Sequence, residues 1–82
     1  MKKANILIVD DEIDLLETLG DILESKGYNV TMVEDGHRAI ELLRKKYFDV
    51  ILMDLNMPGI SGVESFKEVK KLHPSAAVIM MT

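Results

Sequence analysis

The stretch ILMDLNMPG, residues 51–59, joins an apolar run to a turn-forming segment, and the carboxylate of Asp54 stands where the apolar run ends. Together with the two residues before it, the run reads DVILMD, which is typical of a buried β-strand. The residues that follow, 55–62, are rich in proline and glycine and therefore predict a loop. Neither a strand end nor a loop needs an acid at this position, so we interpret Asp54 as a candidate functional residue.

Strands and helices alternate through the rest of the chain. The segment ANILIVD, residues 4–10, contains an unbroken apolar run that predicts a first strand buried on both faces in the middle of a sheet. From Glu12 to Lys26 the apolar residues recur at helical spacing, and Gly27 is a typical stop signal, so this segment predicts the first helix.

The later segments continue the alternation. Tyr28, Val30 and Met32 alternate with polar residues, which predicts a half-exposed second strand near an edge of the sheet. A second helix is predicted from His37 to Lys46, with Arg44, Lys45 and Lys46 in its last turn, where the helix dipole favours cations. The other predicted elements are a third strand over 49–54, a third helix over Val63–Leu72 that is built on Val63, Phe66 and Val69, and a fourth strand over 76–82.

This alternation predicts the fold class. Repeated strand-helix-strand units form right-handed crossovers and a parallel sheet with helices on both faces. We expect an α/β, flavodoxin-like, doubly wound sheet with strand order 2-1-3-4. All connections are short, and we see no linker or internal repeat, so residues 1–82 are interpreted as one domain.

Composition excludes several classes of protein. No apolar run approaches the roughly 18 residues that a membrane span requires, and the chain has no cysteine for a disulfide or a thiolate metal site. The net charge is −4, and residues 1–36 carry nine acids against three bases, so the chain has no general attraction to nucleic acid. We therefore expect a soluble cytoplasmic protein that binds neither nucleic acid nor membrane.

Acidic residues follow two of the predicted strands. Asp10 and Asp11 come at the end of the first strand and Asp54 at the end of the third, and these two strands are neighbours in the predicted order. Three converging carboxylates without histidine or cysteine suit a hard cation, for which Mg²⁺ is the natural candidate. Because Mg²⁺ keeps positions for phosphate oxygens, and because a carboxylate can form a phosphorylated intermediate, the cluster points to phosphoryl chemistry. A purely structural alternative is that Asp11 caps the first helix.

Three segments carry a resemblance to a known family. ILIVDDE at 6–12, DVILMDLNMPGISG at 49–62 and VIMMT at 78–82 resemble the receiver domain of bacterial two-component response regulators. The match runs along the whole chain.

The resemblance implies a set of roles for the site residues. Asp54 would accept a phosphoryl group from a phosphohistidine on a sensor histidine kinase, which makes the domain a phosphoacceptor and not an enzyme. Asp11 and Asp54 would bind Mg²⁺ directly, and Asp10 would bind it through water. The main-chain carbonyl of Asn56 would complete the protein's share of the metal shell, and the hydroxyl of Thr82 would respond to the phosphoryl group.

The chain differs from the family pattern in one respect. The family continues through a fourth helix, a fifth strand that carries a lysine, and a fifth helix, whereas this sequence ends at Thr82. We therefore expect residues 1–82 to be a truncated receiver with impaired phosphotransfer and output. We also expect self-association through the open edge of the fourth strand and the uncovered face of the sheet.

Other functions remain as alternatives. The chain could bind a kinase or itself without any chemistry. A metal-dependent phosphatase with an aspartate nucleophile needs a second acid two residues later, where this chain has Asn56. A flavin-binding domain would need a phosphate-cradling loop after the first strand, where this chain has repelling acids. His37 and His73 have no spacing typical of a metal site and are expected on the surface.

Overall fold

A computed structural model of the chain describes residues 3–54 and 62–81. Its sheet is parallel throughout, with the strand order β2-β1-β3-β4 that the sequence predicts. None of the helices in the described ranges is both long and apolar enough to cross a membrane. The elements in chain order are β1 (Asn5–Val9), α1 (Ile13–Ser25), β2 (Asn29–Val33), α2 (Gly36–Leu43), β3 (Val50–Asp54), α3 (Gly62–Leu72) and β4 (Ala77–Met81).

The unbroken apolar run of β1 is explained by its central position. β1 pairs with β2 on one side and with β3 on the other. The strand is also covered on both faces, so that its four residues from Ile6 to Val9 are all buried. β2 lies at an edge with partly exposed residues, as its alternating pattern predicts.

The two faces of the sheet carry separate apolar clusters. The larger cluster lies on the side of α2 and α3, and the smaller one joins Leu16 of α1 to Ile6 and Ile8 of β1. Successive side chains of a strand point to opposite faces, which is why β1 and β3 contribute to both clusters. The buried members of the larger cluster are Leu7, Val9, Ala39, Ile40, Leu43, Phe48, Ile51, Met53, Val69 and Ala76.

The second helix differs from its predicted range. The carboxylate of Asp35 caps it by accepting a hydrogen bond from the N–H of His37 at 2.9 Å. The helix ends at Leu43, so Arg44, Lys45 and Lys46 lie beyond its last turn, and the prediction that they complement the helix dipole there is wrong. The N–H groups of both lysines donate to the carbonyl of Leu42, which closes the end of the helix in a tight turn.

Some residues that match the helical apolar pattern lie on the surface. Ile13 and Ile22 of α1 are about half exposed, because α1 faces the sheet mainly with Leu16, Leu19 and Leu23. In α3 Val69 is buried, but Phe66 is 38% exposed, so its predicted place in the core is wrong. A helical apolar repeat therefore overstates how much of each helix is covered.

The prediction that His73 lies on the surface is also wrong, because His73 is only partly exposed and links the end of α2 to the segment before β4. Its Nε2 lies 2.6 Å from the carbonyl oxygen of Leu43, and its ring packs edge-on against Tyr47 at a centroid distance of 5.3 Å. Nε2–H therefore donates to a carbonyl at the end of α2, a group that the helix itself cannot satisfy. This histidine has a structural role far from the carboxyl ends of the strands.

Candidate metal centre

The strand register brings Asp10 and Asp54 to the same edge of the sheet. Val9, the last residue of β1, pairs with Met53 of β3. Asp10 follows Val9 and Asp54 follows Met53, so the two acids continue adjacent parallel strands beyond the same pair. This is the geometry that the sequence predicts from the acids at both strand ends, and it places them at the carboxyl edge of the sheet, where ligands of such sheets bind.

Asp10 makes two hydrogen bonds with neighbouring backbone groups. Its N–H donates to the carbonyl of Val33 at the end of β2, at 3.1 Å. Its Oδ1 accepts a hydrogen bond from the N–H of Glu12 at 3.0 Å. Asp10 is only 4% exposed, and it is the one charged residue among the described buried residues. The local turn therefore fixes an acid in a poorly solvated position.

The structural alternative for Asp11 is wrong. Glu12, not Asp11, is the residue that precedes the first turn of α1, and no side chain caps the helix there. The N–H of Glu12 donates instead to the carboxylate of Asp10, two residues earlier, in the pattern of an Asx-turn. The sequence signal for this contact is an aspartate two residues before Glu12, the residue that precedes α1. Asp11 is exposed and takes no part in this Asx-turn.

The three acids meet in one cluster. Asp10, Asp11 and Asp54 each offer one carboxylate oxygen, and the three oxygens lie within 4.8 Å of one another. Asp10 is buried, Asp54 is half-buried and Asp11 is exposed, so the cluster opens to solvent on one side. Within residues 3–54 and 62–81, no other three histidine, cysteine or acidic side chains are grouped in this way.

The electrostatics of the cluster favour a positive partner. Burial raises the pKa of Asp10 above its ordinary value, and the negative charges of Asp54 and Asp11 and a hydrogen bond with the Asp54 carboxyl group raise it further. The hydrogen bond from the Glu12 N–H opposes this rise by stabilising the ionised form. A proton or a cation relieves the repulsion, and oxygen ligands with an open side fit a hard, partly hydrated ion such as Mg²⁺.

Replacing Asp10 with asparagine is expected to stabilise the metal-free protein at neutral pH by about 1 kcal/mol, or roughly 5 °C in Tm. The amide oxygen can still accept the Glu12 hydrogen bond, while the buried negative charge disappears. Because the pKa of Asp10 is higher in the folded than in the unfolded chain, ionisation costs stability as pH rises from about 4. The gain from Asp10→Asn should therefore shrink as pH is lowered towards 4, which thermal melts in EDTA can measure.

A matched control removes the same charge away from the cluster. Asp14 is exposed in the first turn of α1, and Asp14→Asn should leave stability nearly unchanged or slightly lower it. An Asp10→Asn variant that melts no higher than the wild type at pH 7 would contradict the repulsion inferred here.

Two further predicted site residues, Asn56 and Thr82, lie outside the described residues. The metal-binding carbonyl of Asn56 and the hydroxyl role of Thr82 stay predictions.

Comparisons with known proteins agree with the fold. The sequence profile of the response regulator receiver domain matches residues 6–82. The chain is 38% identical over 81 residues to the transcriptional regulatory protein ZraR of Klebsiella oxytoca, and this match covers 99% of the chain. It covers only 18% of ZraR, so the chain corresponds to a small part of that relative.

Solved structures show the same fold. A CheY-like receiver domain protein of Methanospirillum hungatei JF-1 superimposes with a TM-score of 0.94 at 30% identity, covering 96% of this chain and 63% of that one. The response regulator TrrA, solved in complex with the histidine kinase ThkA, gives a TM-score of 0.88 at 35% identity, covering 96% and 68%. TrrA of Thermotoga maritima was also solved in complex with Mg²⁺-BeF, with a TM-score of 0.87 at 35% identity, covering 94% and 67%.

The profile match spans most of the chain, the strand order is that of its CheY-like structural neighbours, and the acids stand at the carboxyl edge of the sheet. The chain belongs to the response regulator receiver domain family of two-component systems.

Proposed function

We propose that this chain is a phosphoacceptor module in which Asp54 receives a phosphoryl group from a phosphohistidine of a sensor histidine kinase, with Mg²⁺ bound beside it. The observation that carries the proposal is the group of three carboxylate oxygens within 4.8 Å of one another in a member of the receiver family. Asp54 is the acceptor in this proposal because it is half-buried at the end of β3, whereas Asp10 is buried and already bound to Glu12.

Mg²⁺ would be held mainly by Asp11 and Asp54. Asp11 is exposed, so a partly hydrated ion can reach it, and Mg²⁺ in proteins usually keeps several waters. Asp10 lies deeper and already accepts one hydrogen bond, which suits contact with the ion through a water molecule. The carbonyl of Asn56 is proposed as a further ligand. The structure of TrrA with Mg²⁺-BeF supports this chemistry in a relative that is 35% identical.

The proposed reaction transfers a phosphoryl group between two side chains. A carboxylate oxygen of Asp54 bonds to phosphorus, and the P–N bond to the kinase imidazole breaks with its electron pair returning to the ring nitrogen. When bound, Mg²⁺ would neutralise the negative charge that builds up on the phosphoryl oxygens. The backbone of β3 and the pairing of Asp54 with Met81 of β4 would fix the position of the acceptor. The Thr82 hydroxyl, next along the chain from Met81, is proposed to respond to the phosphoryl group.

A histidine kinase is the proposed partner. The support is that TrrA, a structural neighbour, was solved in complex with the kinase ThkA. In this proposal the chain supplies the acceptor, and the catalytic work of forming the phosphohistidine belongs to the kinase. The cytoplasmic location expected from the sequence stays a prediction.

The test is incubation of the chain with acetyl phosphate and Mg²⁺, followed by intact-mass spectrometry. We expect the mass to increase by one phosphoryl group, the increase to need Mg²⁺, and the product to be lost in base or hydroxylamine, as an acyl phosphate is. EDTA in place of Mg²⁺ is the control. A chain that binds Mg²⁺ and gains no mass would instead support the alternative, a binding module without phosphoryl chemistry.

We further propose that this chain self-associates through β4. The support is that, within the described residues, β4 is the last strand of the sheet and pairs with β3 on one side, and that its Ile79 side chain is 52% exposed. Exposed apolar edges of this kind favour pairing with another chain.

A further inference from the structure

We propose that Met32 is a site of reversible oxidation by peroxide and that its sulfoxide loosens the packing of α1 on β2. The residues in contact there are Met32 of β2 and Gly20 of α1, and neither belongs to the acid cluster. The loosening of α1 therefore requires neither phosphoryl transfer nor Mg²⁺. Only the expected loss of Mg²⁺ affinity, the last consequence of the oxidation, rests on the proposed function.

The first observation is that the sulfur of Met32 lies against the backbone of α1. Met32 pairs in register with Ile8, which is buried in the cluster under α1, so the Met32 side chain is on the same face of the sheet. Gly20 is buried in α1, and a Cβ at this position would lie 2.9 Å from the Met32 Sδ and 3.3 Å from its Cε. Both distances are shorter than ordinary contacts. The thioether therefore fills the space that a side chain at position 20 would need, which we call the Gly20 notch.

The second observation is that α1 has a glycine at this point of its buried face. Leu16, Leu19 and Leu23 form the rest of that face, and Gly20 lies one turn from Leu16 and from Leu23. Glycine is among the least favourable residues inside a helix. The close approach of Met32 is a physical reason for a glycine there. The notch and the thioether are thus complementary in shape, and a change in either should be felt by the other.

The third observation is that a small oxidant can reach Met32, which is 39% exposed. Among the methionines whose side chains the structure describes, Met53 is fully buried and Met80 is partly buried. Exposure favours oxidation of a thioether to the sulfoxide. The chain has no cysteine, so its methionines hold the only sulfur atoms that peroxide can attack. Met32 is therefore the described sulfur that should react first.

The reaction transfers one oxygen atom from hydrogen peroxide to sulfur. A lone pair of the Met32 sulfur attacks one peroxide oxygen, the O–O bond breaks, and the other oxygen leaves as water after a proton transfer. Sulfur loses two electrons and the peroxide gains them. The new S–O group is polar, whereas the N–H and C=O groups inside a helix are already bonded to one another. The sulfoxide therefore has to move from the Gly20 notch into water, and α1 loses the apolar contact that filled the notch.

A looser α1 is expected to disturb the turn that carries the acids. Asp10 closely precedes Ile13, the first residue of α1, and its N–H donates to the carbonyl of Val33, which follows Met32 in β2. The turn is therefore joined to both elements that the contact between Met32 and Gly20 holds together. We expect the Mg²⁺ affinity of the oxidised protein to fall by about threefold or more.

Treatment with millimolar hydrogen peroxide, followed by peptide mapping and thermal melts in EDTA, tests the site. Met32 should gain one oxygen at least about tenfold faster than Met53. The oxidised protein should melt about 5 °C lower than the untreated protein. Incubation with the two stereospecific methionine sulfoxide reductases should restore the Tm, because the change is reversible.

Three variants assign the loss of stability. Met32→Leu keeps an apolar side chain of similar volume, so it should fold and should keep its Tm in peroxide. Met80→Leu is the matched control and should stay as sensitive as the wild type. Gly20→Ala should expel the thioether from the notch, so that Met32 is oxidised faster and its oxidation lowers the Tm less than in the wild type. Circular dichroism checks the fold of each variant.

The outcomes separate the site from its consequences. If Met32→Leu loses as much Tm in peroxide as the wild type does, the assignment to Met32 is overturned. An oxidised Met32 with an unchanged Tm overturns the loosening of α1. Calorimetric titration measures Mg²⁺ affinity before and after oxidation, and an unchanged affinity after a loss of Tm overturns the link to the acids. A wild type that binds no Mg²⁺ before oxidation contradicts the proposed function, while the melts still decide the role of Met32.

Discussion

Replacing Asp54 with asparagine is expected to abolish the phosphoryl mass increase that the wild type shows with acetyl phosphate and Mg²⁺. The amide lacks the nucleophilic carboxylate oxygen, and the substitution changes neither the size of the side chain nor its place at the end of β3. The rate at which acetyl phosphate phosphorylates the chain should fall by about 1,000-fold or more, because Asp54 is the proposed acceptor. Intact-mass spectrometry over a time course measures the loss.

The control for this variant is Asp49→Asn. Asp49 lies just before β3, at the amino ends of the strands and away from the acid cluster. Its Oδ2 accepts a hydrogen bond from the N–H of Asn5 at 2.8 Å. Asparagine can keep that bond, so phosphorylation of Asp49→Asn should match the wild type. A mass increase that persists in Asp54→Asn would place the acceptor elsewhere, and peptide mapping after borohydride reduction would show whether Asp11 has taken the group.

The second large effect is expected on Mg²⁺ affinity. Asp11→Asn should weaken Mg²⁺ binding by at least about tenfold, or about 1.4 kcal/mol, since it removes the exposed carboxylate that the ion is proposed to contact directly. Binding can be followed as ligand-induced stabilisation. At a Mg²⁺ concentration ten times its Kd, the wild type should gain about 1.4 kcal/mol in its free energy of unfolding. At the same concentration, Asp11→Asn should gain about 0.4 kcal/mol or less.

Two comparisons make this result specific. Asp14→Asn removes an exposed acid from the first turn of α1 and should keep nearly the full Mg²⁺ effect. Asp10→Asn should weaken Mg²⁺ less than Asp11→Asn does, if Asp10 reaches the ion through water. Equal Mg²⁺ stabilisation in the wild type and in Asp11→Asn would exclude Asp11 from the metal site.

The fold and the placement of the acids are readable from the sequence for a simple reason. In a parallel sheet, burial on both faces requires continuous apolar runs, and ILIV in β1 and VILM in β3 show them directly. Once adjacent strands are assigned, their carboxyl ends must share one edge, so Asp10 and Asp54 have to be neighbours. The positions of the acids therefore follow from the strand order more than from the way side chains pack.

The features that sequence reasoning missed depend on hydrogen bonds from side chains to backbone carbonyls. His73 donates to a carbonyl 30 residues away, and no side-chain pattern marks a backbone acceptor. The Nζ of Lys70 similarly donates to the carbonyls of Pro74 and Ala76, which holds the turn before β4. Surface exposure was missed for a related reason: the helical repeat that contains Phe66 shows which residues share a face, but not how far a neighbouring element covers that face.

The burial of Asp10 is a further property that the amino-acid sequence does not reveal. Asp10 and Asp11 are adjacent and chemically identical, yet the turn into α1 buries the first and exposes the second. The difference arises because two hydrogen bonds fix the turn. The N–H of Asp10 donates to the carbonyl of Val33, and the N–H of Glu12 donates to the carboxylate of Asp10. The proposal that Asp11 contacts a hydrated ion directly, and Asp10 through water, is based on this difference in burial.

Anomalous diffraction from crystals soaked in Mn²⁺, a Mg²⁺ substitute, would show whether Asp10, Asp11 and Asp54 together hold a divalent ion. We expect one strong anomalous peak about 2.0–2.3 Å from oxygens of Asp11 and Asp54, with Asp10 farther away behind a water molecule. No peak at the three acids at millimolar Mn²⁺ would exclude a divalent-ion site there.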